Sequence, residues 1–187
     1  MLKKLKPAFD KENGSLTAGN SSPLTDGASS VLLASDSALA KNGWKPLARV
    51  VDFQAAAVDF VNGAGLLMAP TIAVSQMLDR NGFTFADFDF FEIHEAFAGQ
   101  VLCTLKAWES KEYNEKVLKR KDILGAVPIE KMNVVGSSVA VGHPFAATGA
   151  RITGTLAKLL SEKPGSRGLI SICTAGGMGV TAILESV

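Results

Sequence analysis

Cysteine and histidine are scarce in this sequence, with two of each in 187 residues. Cys103 and Cys173 stand far apart and form no CxxC, which excludes a disulfide framework and a cysteine-based zinc site and fits a reducing compartment. An excess of charge is missing too: the formal net charge of +1 leaves no basic footprint for nucleic acid and singles out no partner. Long apolar runs are absent, none reaching the roughly 18 residues of a membrane span. The opening Met1-Leu2-Lys3-Lys4-Leu5-Lys6 is basic, but Pro7 and Asp10 fall where a signal peptide needs its apolar core. These absences predict a soluble, intracellular protein without a metal site, cytoplasmic or, in a eukaryote, mitochondrial.

What is present is apolar side chain, 47% of the residues, enough for one substantial core. After an irregular start, Ala28 to Ala34 reads as a buried strand and Ser35 or Asp36 as the cap of a short helix ending at Asn42-Gly43. Leu47 to Phe53 is a second strand, and Pro70 begins a helix closed by Asn81-Gly82. Phe88 to Ile93 ends as a strand. The period then changes, and Phe97, Val101, Leu102, Leu105 and Trp108 recur at helical spacing, with Cys103 as an inert thiol inside that stripe. Lys and Glu dominate 109–122, a solvated helical face. A helix is expected from Pro144 to Leu160, then a strand over 168–172 and a hairpin partner over 180–184. Alternating strands and helices imply an α/β fold with a mainly parallel sheet, in which ligands bind beyond the carboxyl ends of strands.

Three reactive side chains fall at such ends: His94, His143 and Cys173. His143 stands between Gly142 and Pro144 in the segment NVVGSSVAVGHPFAATGAR, residues 133–151. A lone His in a Gly-rich turn is more often a hydrogen-bonded structural residue than a catalyst. Cys173 reads either as an inert core thiol or, beside Gly176-Gly177-Met178-Gly179, as a group with exposed backbone N–H donors near it. A neighbouring imidazole lowers a thiol pKa toward neutrality, so Cys and His together make an acyl-transfer site. The loop Gly19-Asn20-Ser21-Ser22-Pro23 lets backbone approach a ligand, or is an ordinary surface turn.

Taken in order, His94-Glu95-Ala96-Phe97-Ala98, Gly142-His143-Pro144 with Thr148-Gly149-Ala150-Arg151, and Cys173 with its glycines resemble the motifs of the thiolases. Thr17-Ala18-Gly19-Asn20, Ser22 and Asp26-Gly27-Ala28 are similar to the segment that enters the C-terminal half of those enzymes. The match runs through nearly all of the chain except the Lys/Glu-rich stretch. GHPFAATGAR, with His opening HEAFA, is most similar to the β-subunit type of the fatty-acid-oxidation trifunctional complex, a 3-ketoacyl-CoA thiolase or acetyl-CoA acyltransferase.

The resemblance implies a C-terminal thiolase half: a mixed, mostly parallel five-stranded sheet with helices on both faces over 35–187, and the last strand of the N-terminal domain over 1–34. It implies reversible Claisen cleavage of 3-oxoacyl-CoA by coenzyme A, or condensation of acyl-CoAs, in β-oxidation, with CoA as substrate and no cofactor. By that likeness His143 takes a proton from a nucleophilic Cys of the N-terminal half and binds the thioester oxygen. Cys173 shuttles a proton to carbon or to the CoA thiol. His94, where most thiolases have Asn, serves an oxyanion hole with His143; the Ala175 N–H serves a second, and Ser22 contacts pantetheine. Ala175, Ser137 and Ala146 replace the family's commoner Gly. The N-terminal half is not in the sequence, so the chain is expected to be inactive alone, as a truncated product or a subunit needing that partner. Expected associates are CoA and acyl-CoA, the N-terminal half, a second copy in a homo-oligomer and a β-oxidation α-subunit. A ketoacyl-synthase relative and a non-catalytic acyl-CoA- or lipid-binding or interaction module are the alternatives.

Overall fold

The computed structural model describes residues 2–187. The chain forms α1 (Asp36–Asn42), β1 (Arg49–Ala57), α2 (Ala69–Asn81), β2 (Phe90–Ile93), α3 (Ala98–Glu109), α4 (Lys111–Lys116), α5 (Ser138–Val141), α6 (Thr148–Ser161), β3 (Arg167–Thr174) and β4 (Met178–Glu185). Local signals set several ends. The Ser35 hydroxyl accepts from the Ala38 N–H to cap α1, and α1 and α2 both stop on left-handed glycines, Gly43 and Gly82.

The four strands lie in the order β1-β4-β3-β2. β3 and β4 are joined by the tight turn Ala175-Gly176-Gly177, so they must run antiparallel. β1 is antiparallel to β4, and only β2 and β3 are parallel, their connection passing through α3 to α6. The expected five-stranded, mostly parallel sheet is therefore corrected: the sheet is mixed, has four strands and is antiparallel in two of its three pairings. The strand expected over 28–34, assigned to the N-terminal domain, does not form either. That segment pairs with no strand, and Leu32 and Leu33 are 75% and 74% exposed.

Helices cover both faces. On one side, Val74, Met77 and Leu78 of α2 and Val101, Leu105 and Trp108 of α3 pack on Phe85, Phe88, Phe91, Ile93 and Leu169. On the other, Ile152, Leu156 and Leu160, one face of α6 at a spacing of four, pack on Ile170 and Leu184. Each such buried aliphatic chain contributes about 1.5–3 kcal/mol. Gly168 permits the approach, because a Cβ there would lie 2.4 Å from a Leu156 methyl. Two details of α3 differ from the helical-stripe reading: Leu102 is 64% exposed and Cys103 is exposed. Residues 101, 105 and 108 define the inward face, and one step around the helix turns 102 and 103 out of it.

Pro144 does not open α6, which begins at Thr148. Ala146 sits at φ 66°, outside helical space, and the Pro144 carbonyl accepts from the Ala147 N–H at 3.1 Å, closing a turn before the helix. His143 thus leads a turn rather than a helix.

Candidate active site

Parallel pairing of β2 and β3 aligns their carboxyl ends. Ile93 pairs with Ser171, and the ladder continues one step as the His94 N–H donates to the Ser171 carbonyl at 2.9 Å. Cys173, two residues on and on the same side of β3 as Ser171, therefore lies at the same edge. His94, Ser171 and Cys173 line one cavity of about 10 Å³, with Gln100 and Thr104 of α3. That is the volume of a single water site, and the Ser171 Oγ is buried there without a partner.

His143 arrives by a different route from the one expected. It follows α5 and a left-handed glycine instead of a strand end. Gly142 at φ 99° has the Thr25 side chain where a Cβ would be, 2.5 Å away, and the Pro23 carbonyl accepts from the His143 N–H at 3.2 Å. The segment 23–27 so clamps the turn from outside. The two imidazoles then stack, their centroids 4.2 Å apart and their planes inclined by 51°. Phe145, largely exposed, flanks His143 at 5.0 Å.

The second partners of each ring give the two imidazoles opposite roles. The Thr148 hydroxyl donates to the Pro144 carbonyl at 3.3 Å, so its oxygen accepts from His143 Nδ1–H, 2.7 Å away, and Nε2 keeps its lone pair. The Ser138 oxygen accepts from Arg151 Nη2 at 3.2 Å, and its proton is assigned to His94 Nδ1 at 2.9 Å, the one acceptor within reach of that hydroxyl among the described residues. On this assignment the unpartnered, buried His94 Nε2 carries hydrogen and is a donor in search of an oxygen. Burial, reinforced by His143 and Arg151, pushes the His94 pKa down to about 4; burial and Arg151 also lower that of His143. Near neutrality both rings are uncharged, one an acceptor and the other a donor.

Cys173 is 8% exposed, and burial pushes its thiol up to about 11, against the pull of the Cys173 and Ala96 backbone N–H groups. It is a protonated thiol at neutral pH, a proton source that becomes a strong base once it has given the proton away. Ala175 begins the β3–β4 turn with an ordinary negative φ, so replacing Gly strains nothing there. Ser22 is half-buried beside the segment that follows β2, where its N–H and Oγ both donate to the Ala96 carbonyl, at 3.0 and 3.1 Å. Toward a ligand its hydroxyl is left with acceptor capacity.

Several supporting residues escaped the reading of the sequence. Asn133, left-handed at φ 48°, spans Ile93 like a strand partner: Oδ1 accepts from the Ile93 N–H at 2.8 Å, and Nδ2 donates to the Ile93 carbonyl at 2.9 Å and to Glu95 at 2.7 Å. Glu95 also accepts from the Val139 N–H at 3.1 Å, tying the start of α5 to the strand end that carries His94. An Asn in a turn ending at Gly136 was the available signal, since Asn tolerates positive φ. Glu92, alone between Phe91 and Ile93, was another.

The thiolase C-terminal domain pattern matches residues 44–186, and the thiolase N-terminal domain pattern matches residues 1–37. A 3-ketoacyl-CoA thiolase of Serratia proteamaculans is 46% identical over 183 residues, covering 97% of this chain and 41% of that protein. The dimeric peroxisomal thiolase of Saccharomyces cerevisiae superposes with a TM-score of 0.81 at 32% identity, over 100% of this chain and 42% of that one. The human mitochondrial 3-ketoacyl-CoA thiolase in complex with CoA gives 0.77 at 32% identity, over 99% and 42%. The chain spans about two fifths of the length of these relatives. With family patterns matched at both ends of the chain and the backbone of solved relatives reproduced throughout, the chain belongs to the thiolase family.

Proposed function

We propose that this chain supplies the proton-transfer and oxyanion-binding half of a thiolase site, acting on 3-oxoacyl-CoA and CoA. The carrying observation is the pair of neutral imidazoles 4.2 Å apart, with Cys173 sharing a cavity with one of them. Residues 1–34 are assigned to the N-terminal domain and 35–187 to the C-terminal one.

In cleavage, His143 Nε2 takes the proton of an acyl-accepting Cys supplied by the N-terminal half, and the thiolate adds to the 3-oxo carbon. The C2–C3 bond breaks, leaving the acyl group on sulfur and an enolate on the departing acyl-CoA. His143, now an imidazolium carrying Nε2–H, and His94 Nε2–H hold the enolate oxygen, while the Cys173 thiol protonates C2. A pKa of about 11 suits this step, since the thiol stays protonated until so basic a carbon appears. CoA enters next, gives its thiol proton to the Cys173 thiolate and attacks the acyl thioester, whose oxyanion the Ala175 N–H stabilises. Collapse releases the nucleophilic thiolate, which takes its proton back from the His143 imidazolium. Ser22 accepts a hydrogen bond from the pantetheine arm. No cofactor takes part in any step.

The dimeric yeast relative supports a homo-oligomeric complete enzyme, and the CoA complex of the human relative supports CoA as ligand. The phrase GHPFAATGAR supports, as a finer partner, a β-oxidation α-subunit.

The test is thiolysis of a 3-oxoacyl-CoA by the 187-residue chain, alone and co-expressed with a thiolase N-terminal half. Turnover only in the pair, abolished by His143→Ala, is expected. Turnover by the chain alone with a stable acyl adduct on Cys173 would overturn the division of labour.

A further inference from the structure

Glu92 is a buried acid that the steps above do not use. Alternation along β2 sends Phe91 and Ile93 into the α2–α3 core and turns Glu92, with Phe90, toward α6. It is 1% exposed, and neither carboxyl oxygen has a hydrogen-bond partner. The charged groups that bear on it are Arg151 from α6 and Glu95 from the segment after β2. Arg151 is also incompletely used: Nη2 donates to Ser137 and Ser138, while Nε is buried and unpartnered. Ser138 holds His94 Nδ1. A line of polar groups therefore runs from Glu92 through Arg151 and Ser138 to His94, with unsatisfied atoms at the carboxyl, at the guanidinium and at the ring Nε2. An acid buried here for packing alone would be a poor choice, because an apolar side chain of similar size avoids its desolvation.

We propose that Glu92 is a positioning residue for the imidazole pair: its carboxylate, joined to Arg151 Nε–H through buried water, holds the guanidinium on Ser138 and offsets the Arg151 charge at His94 and His143. Water is the fitting link because both groups keep buried, unsatisfied atoms and make no direct hydrogen bond to each other. Burial places the Glu92 carboxyl at about 7, with Arg151 pulling down and Glu95 pushing up, so its charge changes near neutrality. The inference rests on the thiolase reading only for what the imidazoles do; the coupling is a property of this chain and is measured without turnover.

With two histidines in the sequence, nitrogen-15 NMR of the 187-residue chain follows both rings, assigned through His143→Asn, and carbon-13-labelled glutamate follows the carboxyl. The ring shifts are expected to inflect at the pH where Glu92 ionises. In Glu92→Gln that inflection disappears from both rings, because the group that titrates there is gone. Ring shifts that keep the inflection in a folded Glu92→Gln chain overturn the proposal. Should that variant not fold, the wild-type curves decide: rings that titrate without an inflection at the Glu92 pKa overturn it, and a shared inflection supports it. Coupled rings in an enzyme without thiolysis would sink the catalytic reading and leave this one standing.

Discussion

The two faces of the sheet are built to different ends, and β2 serves both. Toward α2 and α3 lies a dry aromatic core, Phe85, Phe88, Phe91 and Trp108, with Phe85 and Trp108 rings 5.1 Å apart. Toward α6 the aliphatic row Ile152, Leu156 and Leu160 gives way at the helix start to Arg151, which turns to Ser138 and through it to His94, with Glu92 buried on the same side of β2. The first is satisfied by contact except at the strand ends, where the Ser171 Oγ stays unpartnered in the cavity beside α3. The other keeps buried polar atoms without partners, the condition expected where a substrate or water completes the structure.

If that contrast is right, changes among the polar groups at the strand ends should affect chemistry and changes in the aromatic core should affect folding. The largest effect belongs to the first group. In a complete enzyme, His143→Ala and Cys173→Ser are each expected to lower kcat for thiolysis by roughly 10²–10⁴, the usual contribution of an acid-base group, with little change in melting temperature. Unchanged rates in both would erase the distinction. On the dry face, Trp108→Ala empties the largest fully buried side chain and is expected to destabilise by about 3–5 kcal/mol in urea unfolding.

A third measurement sharpens the comparison through pH. Glu92, raised from 4.5 to about 7 on folding, contributes stability that is fully present below 4.5 and is lost as pH rises through 7. His94, lowered from 6.5 to about 4, contributes stability that is present above 6.5 and is lost as pH falls through 4. Between these limits folding in effect moves a proton from the imidazole to the carboxyl, so the two trends offset. Unfolding free energies at pH 4.5, 5.5 and 6.5 should be nearly flat in these two groups. In Glu92→Gln they should rise with pH by at most about 1.4 kcal/mol per unit, and in His94→Asn they should fall. A flat profile in Glu92→Gln would mean that His94 is not held neutral by burial. The smallest effect concerns the turn between the faces: Ala146 at φ 66° pays for a left-handed position, and Ala146→Gly is expected to stabilise by about 1 kcal/mol, read as a higher urea midpoint.

Much of this was legible from residue order. Ser35 and Gly43 bound α1, Pro70 and Gly82 bound α2, and the β3–β4 hairpin follows from two apolar runs around a glycine turn. Each is a local preference, decided within a few residues. The motifs around His94, His143 and Cys173 marked the site for the same reason. What failed was non-local. Ala28 to Ala34 has a strand's composition, yet strands need partners, and the described residues offer it none. Leu102 and Cys103 share an apolar helix with Val101, but which side of α3 meets the sheet is settled by packing.

Sequence by itself determined the types of element, most of their ends, the family and the three reactive side chains, because caps, periodicity and motif order are written in neighbouring residues. Only the tertiary structure decided that two of the three strand pairings run antiparallel, that His143 comes from a loop clamped by residues 23–27, and that Arg151 bears on both Glu92 and the imidazoles. Those outcomes depend on which surfaces meet across tens of residues. Burial then converts that meeting into chemistry, since the same His, Glu and Cys side chains would hold ordinary pKa values in an extended chain.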